Sequence, residues 1–244
     1  MLVAVEVVGL NPIDWKAPDF GFGLPSLPCI SGRDFAGKVV KPPRGNSRFR
    51  SGDIVMGIST DYRDSRKAAY QQYAVVSDFN ACSSATGCCA VQLAKLAGLK
   101  VIAIIDVARS GEPISIVKGI TKGKLRFGLD TRGRESTALL AQAMRSEIGL
   151  EGKRAHLVGL TGLPKEQTPG VVYHSVPIKT FHEAPNIGEG LMIWLERLFE
   201  HNKISTPEIE VAHGGLQGIN AALDRLRDGS VNGPRIVVPL ELRT

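Results

Sequence analysis

The residues best suited to chemistry lie in the stretch Ser83-Ser84-Ala85-Thr86-Gly87-Cys88-Cys89-Ala90. Every side chain in it is small, and helical spacing (Val91, Leu93, Ala94, Ala97) begins directly after it. Small residues at a helix start let the first backbone N–H groups approach a diphosphate, and the positive end of the helix dipole stabilises its charge. Nineteen residues after Gly87 stands Asp106, at the end of the apolar run from Val101 to Ile105. A carboxylate there suits a ribose 2′-hydroxyl, whereas Arg109 and Ser110 just beyond suit a 2′-phosphate. The pattern leaves NAD and NADP both open and leans weakly to NADP. The candidate cofactor-binding residues from this motif are Ser84, Ala85, Thr86, Gly87, Asp106 and Arg109. An ordinary helix start built of small residues would read the same way.

Other chemistry is harder to place. Cys29, Cys82, Cys88 and Cys89 include no pair at the two-residue spacing of a structural zinc site, and they suit small buried positions. The five histidines (His156, His174, His182, His201, His213) show no ligand or triad spacing.

The elements that must position these residues fall into two textures. Strands are expected over 2–8, 35–40, 54–58 and 70–76. The Pro- and Gly-rich loop 17–34 and the loop 42–51 separate them, as in a small barrel. From residue 90 the pattern becomes α/β. A helix is expected over 90–99, and the apolar run 101–105 reads as a strand buried on both faces of a parallel sheet. Further strands are expected near 154–160, 171–178 and 235–240, with amphipathic helices over 190–201 and 216–227. The small-residue motif should follow a buried strand, yet Tyr70 to Val76 belongs to the barrel part and no second strand fits before Ser83.

Composition narrows the function classes. The chain has 244 residues with 30 Lys+Arg against 24 Asp+Glu, a formal charge of +6. That charge is dispersed, which argues against a nucleic-acid groove and is compatible with a phosphorylated cofactor. The longest aliphatic run has five residues, far short of a membrane span. The segment MLVAVEVVGL lacks a basic leading region and carries Glu6, so a secretory signal is not expected and the cytoplasm is the expected location.

With these residues laid out, the sequence resembles the medium-chain dehydrogenase/reductase superfamily, in its zinc-free, quinone-oxidoreductase-like branch. Within that branch it is most similar to fungal trans-acting enoyl reductases of polyketide biosynthesis. The carrying stretches are residues 2–16, PCISGRDFAGKVV at 28–40, GDIVMGI at 52–58, SSATGCCAVQLAKLAG at 83–98, FGLDTRG at 127–133 and residues 214–240. The resemblance implies a GroES-like β-barrel catalytic domain (1–82), an incomplete Rossmann domain with a parallel, doubly wound sheet (83–204), and a C-terminal return to the catalytic domain (205–244). It implies NADP(H)-dependent reduction of an activated C=C bond, with a small-molecule or carrier-bound acyl substrate and a polyketide synthase as partner. A quinone or carbonyl reductase is the alternative within chemistry.

Residue by residue, the resemblance implies that Asn11, Asp14 and Lys16 line the nicotinamide end of the cleft, with Lys16 and Asp14 catalytic. Asp130 and Thr131 match a loop after a Rossmann strand, and Val231 and Asn232 a C-terminal loop touching the cofactor. Zinc-dependent members carry a Cys after the first strand and a His-Glu pair further on. Here those places read Asn11-Pro12-Ile13-Asp14 and Gly32-Arg33-Asp34, so no metal is expected. Family text is missing before Met1, between Ala81 and Ser83, and between Glu112 and Ile114. The second gap removes the first Rossmann strand. That loss raises the alternative of a truncated, non-catalytic remnant or accessory protein.

Overall fold

The structure is a computed structural model. It describes residues 1–21, 23–24, 27–45, 47–59, 64–77, 86–102, 113–145, 154–176, 183–231 and 234–240. The chain divides into two compact units, one of Met1–Cys89 with Lys179–Thr244, the other of Ala90–Ile178.

In the first unit, β1 (Leu2–Gly9) leads into helix α1 (Pro12–Phe20), followed by β2 (Asp34–Lys41), β3 (Ile54–Ile58) and the short β4 (Tyr73–Val75). The helix was not anticipated, because Asn11-Pro12 reads as a turn and Pro18 as a break. Its end signals are nonetheless local. The Asn11 N–H donates to Asp14 Oδ2 at 2.9 Å, Pro12 occupies the first turn where no N–H is needed, and Gly21 closes the helix at φ +67°. β4 is shorter than the expected 70–76 because 70–72 form turns, with the Gln71 amide bonded to the carbonyls of Ser65 and Ala68.

The C-terminal part of the chain completes this unit. It supplies β8 (Ile209–Val211), a helix over 215–227 and β9 (Arg235–Pro239), and the sheet runs β3-β2-β1-β9-β8 with β4 also on β1. Val3, Val5 and Val8 of β1 are fully buried with Ile236 and Val238 of β9, under Ile219 and Leu223 of the 215–227 helix. β1 and β2 approach so closely that a Cβ on Gly37 would lie 2.9 Å from the Ala4 carbonyl carbon and nearer still to its oxygen. A helix over 185–200 also groups with this unit and begins five residues before the anticipated start.

Helix α2 (Thr86–Leu96) begins within the small-residue motif, its residues from Ala90 onward belonging to the second unit, and is followed there by α3 (Pro113–Thr121). Next come β5 (Phe127–Asp130), α4 (Arg134–Ala143), β6 (Ala155–Gly159) and β7 (Val171–Ser175). The three strands are parallel in the order β5-β6-β7. Ala141 and Met144 cover Ala155 and Leu157 on one face, while Phe127 and Leu129 remain exposed. Val101 and Ile102 are not in a strand, and the rest of that expected strand lies outside the described residues. In chain order the helices over 185–200 and 215–227 are α5 and α6.

Candidate active site

The densest set of buried charge in the described residues gathers where β1 ends, between the start of β2 on one side and β9 on the other. Strand pairing places Gly9 opposite Asp34 on one side and Val237 on the other. The next residues, Leu10 and Asn11, carry the chain into α1, whose first turn holds Asp14 only 4% exposed. An isolated carboxylate in such a place would be costly. Asp14 is compensated by two hydrogen-bond donors and one nearby cation. Its Oδ2 accepts the Asn11 N–H and, at 2.8 Å, the Tyr70 hydroxyl, while Arg33 Nε lies 3.9 Å from Oδ1. At that distance the guanidinium supplies charge without a hydrogen bond from Nε.

Behind this pair lies a second. Arg235 of β9 is ion-paired with the buried Asp34 and also donates to Asn11 Oδ1 at 2.8 Å. Burial pushes the Asp14 carboxyl above its usual range, against the Asn11 N–H, the Tyr70 hydroxyl and Arg33. The Tyr70 phenol is likewise driven up, by burial and by the Asp14 charge it faces. Tyr70 therefore acts as a permanent donor to Asp14. Its ring is held against Gly32 (φ +93°), where no side chain would fit, and its N–H bonds the Ser31 carbonyl at 3.0 Å.

Asp14 and Arg33 line a cleft of about 450 Å³ including its open mouth. Its walls include Ile13, Leu24 and Ile30, with Ser31, Ser59 and Asp64 as further polar groups. Asp64 is neutralised by a two-point ion pair with Arg66, 2.9 Å and 2.8 Å. An apolar cleft with a few convergent polar groups suits a small organic ligand.

The anticipated residues are distributed unevenly around this geometry. Asn11 and Asp14 belong to the cluster. Lys16 is exposed, its ammonium 5.5 Å from the Trp15 ring centroid, and it is not among the residues of the cleft wall. Asp130 is buried at the carboxyl end of β5, where its Oδ1 accepts the N–H groups of Arg132 and Gly133, and Thr131 beside it is exposed. The carboxyl ends of parallel strands are where open α/β sheets bind ligands. Thr86 and Gly87 form the first turn of α2. Val231 packs against the core of the first unit. Ser84, Ala85, Asp106, Arg109 and Asn232 lie outside the described residues.

Arg33, Asp34, Tyr70 and Arg235 were missed. The first two stand in the quoted stretch GRDFAG, but nothing in the sequence links them to Arg235, 201 residues away. Among the described residues, no group of three or more His, Cys, Asp and Glu is arranged to hold a metal ion. No helix among them is long and apolar enough to cross a membrane.

Comparison with known proteins agrees with this architecture. Residues 1–100 match the alcohol dehydrogenase GroES-like domain. An 82-residue stretch is 38% identical to a trans-enoyl reductase of Fusarium mangiferae, taking in 34% of this chain and 20% of that protein. A trans-enoyl reductase of Alternaria alternata aligns over 98% of this chain and 91% of its own length at 25% identity. That alignment runs over 319 positions while 98% of this chain is only about 239 residues, so at least 80 or so positions of the relative have no counterpart here. Among solved structures, an alcohol dehydrogenase superfamily protein from Novosphingobium aromaticivorans superposes with a TM-score of 0.80 at 19% identity, over 98% of this chain and 91% of that one. The Escherichia coli quinone oxidoreductase complexed with NADPH gives 0.77 at 16% identity, over 98% and 90%. Residues 1–100 thus carry a GroES-like domain, and the chain shares the fold of these solved structures.

Proposed function

We propose that this chain is an NADP(H)-dependent reductase of activated C=C bonds, of the trans-enoyl reductase type. The observation that carries the reading is the buried Asp14–Tyr70–Arg33 constellation, set beside an apolar cleft in a GroES-like domain. The start of α2 at Thr86 and the Asp130–Thr131 loop at the sheet's carboxyl edge support a dinucleotide site. A reduced nicotinamide, when bound, supplies a hydride to the β-carbon of an unsaturated carbonyl compound. This chain's own residues exclude water through Ile13, Leu24 and Ile30 and offer positive charge to the carbonyl oxygen. They also hold a carboxyl group, Asp14, whose burial favours its protonated form. A polyketide acyl chain is the proposed substrate and a polyketide synthase the proposed partner, after the sequence resemblance to fungal trans-acting enoyl reductases; the relatives named trans-enoyl reductases support the reaction type.

A second reading, a non-catalytic remnant or accessory protein, draws on the roughly 80 positions of the Alternaria relative that lack a counterpart here. Titration with NADPH separates the two. The 244-residue chain should quench or enhance nicotinamide fluorescence with a Kd of about 1–100 μM, within the range usual for cofactors and substrates. A version with the internal blocks restored should bind at least as well. Binding by the restored version alone would favour the remnant.

A further inference from the structure

Away from the cleft, strand pairing in the second unit brings together two metal-ligating side chains. His156 and His174 are 18 positions apart in the chain. The parallel register sets His156 opposite Val172, so His174 stands two places further along β7. Ala155 and Leu157 flank His156 and Tyr173 precedes His174, and all three turn into the core of this unit. Strand alternation therefore sends both imidazoles to the other face of the sheet, where His174 is exposed and His156 half-buried. There His156 Nδ1 and His174 Nε2 are 2.9 Å apart. The ring planes differ by only 19°, and the centroids, 5.2 Å apart, exceed the nitrogen separation by about one ring diameter, so the rings meet edge to edge. One ring donates an N–H to the lone pair of the other. The Phe127 ring lies beside His156, 6.0 Å away and within 18° of parallel, and limits its turning.

Two imidazole nitrogens each about 2.0–2.1 Å from one ion lie about 2.9 Å apart at a right angle and about 3.4 Å apart in a tetrahedron. The observed separation already matches the right-angle value, so the rings need only swing their facing edges toward a common point, with no movement of the strands. We propose that His156 and His174 form a two-imidazole site for a divalent transition ion such as Zn²⁺, with water completing its coordination. Imidazole suits ions of this class, whereas Mg²⁺ and Ca²⁺ take oxygen ligands. On binding, the bridging hydrogen moves to the outer nitrogen of the ring that carried it. Both imidazoles then stay neutral, and each offers one lone pair to the ion. Arg126, which stands over Phe127 at 5.6 Å from its centroid, is a neighbouring cation that keeps the affinity modest. The site does not depend on the reductase reading.

The test is a titration of Zn²⁺ into the untagged, ¹⁵N-labelled 244-residue chain, with the imidazole nitrogens followed by NMR. His156 Nδ1 and His174 Nε2 should shift together, with one midpoint of about 1–100 μM, while His201 and His213 do not move in that range. His156→Asn and His174→Gln should each weaken binding by about tenfold or more, and His213→Gln should leave it unchanged. His174→Gln alters an exposed side chain, so the remaining His156 signal keeps the comparison readable if the His156 variant does not fold. Mg²⁺ at the same concentrations should shift neither ring. Shifts at neither ring with Zn²⁺, separate midpoints for the two rings, a His156 midpoint unchanged in His174→Gln, or an equal response to Mg²⁺ would overturn the proposal and leave a hydrogen-bonded pair only.

Discussion

Replacing Gly32 by alanine tests whether the Tyr70 ring is locked against the backbone as the geometry requires. Gly32 has φ +93°, a region where a side chain costs about 1–2 kcal/mol. A Cβ there would also lie 2.6 Å from Tyr70 Cε1, with Cγ and Cδ1 closer still. The ring cannot retreat freely. Its hydroxyl is bonded to Asp14, its N–H to the Ser31 carbonyl, and the Ala69 N–H to the Gly32 carbonyl, all between 2.8 and 3.0 Å. Relieving the clash therefore costs either overpacking strain, about 1–3 kcal/mol, or the hydrogen bond to a charged partner. Together these give a loss of about 3 kcal/mol, or about 6–12 °C in Tm for a chain of this size.

The steric part should vanish once the ring is gone. In a Tyr70→Ala background, Gly32→Ala should cost only the backbone strain, about 1 kcal/mol, leaving a coupling of about 2 kcal/mol between the two positions. Urea denaturation of the wild type, both single variants and the double variant, followed by circular dichroism, measures that coupling. A cost for Gly32→Ala that is the same with and without the ring would refute the locked arrangement, and with it the fixed orientation of Asp14.

Two further expectations concern the same site. The Asp14 carboxyl is raised in the folded chain, so the folded state binds a proton more readily there than the unfolded state, whose value is near 3.8. The stability linked to this group is therefore fully present below about pH 3.8 and is lost as pH rises through the folded-state value. Asp14→Asn should flatten that part of the profile, and denaturation midpoints unchanged in slope between about pH 4 and 7 would contradict it. Lys16→Ala should change kcat/KM for an enoyl thioester by less than about threefold, because the ammonium is exposed over Trp15 and off the cleft wall. A loss of about a hundredfold or more would instead assign the carbonyl contact to Lys16.

Legibility of the sequence followed the range of the interactions. The strands Ile54–Ile58 and Arg235–Pro239 and the helix Gly215–Arg227 were readable within a residue or so, because their burial pattern is local and periodic. Helix α1 was hidden because Pro18 weighs against a helix in any short window. The Asn11–Asp14 cap and Gly21 outweigh it only when considered together. At the site, Asn11 and Asp14 could be named because they lie in one motif. Arg235 and Tyr70 could not, since their partners Asp34 and Asp14 are 201 and 56 positions away and are met only through strand pairing and a turn. A sequence motif records neighbours along the chain, whereas the charge balance of a buried cluster is set by neighbours across it.

The position of Arg235 on the last described strand also bears on biosynthesis. While the ribosome is still translating the second unit, β1, β2 and β4 are already made, but Asp34 lacks its ion pair with Arg235 and the Val7–Gly9 end of β1 lacks its β9 partner. The early segment must then stay open, or be held by a chaperone, until some two hundred further codons have been read. A premature stop before codon 235 would release a polypeptide retaining all of the GroES-like match and lacking the cation that is ion-paired with the buried Asp34.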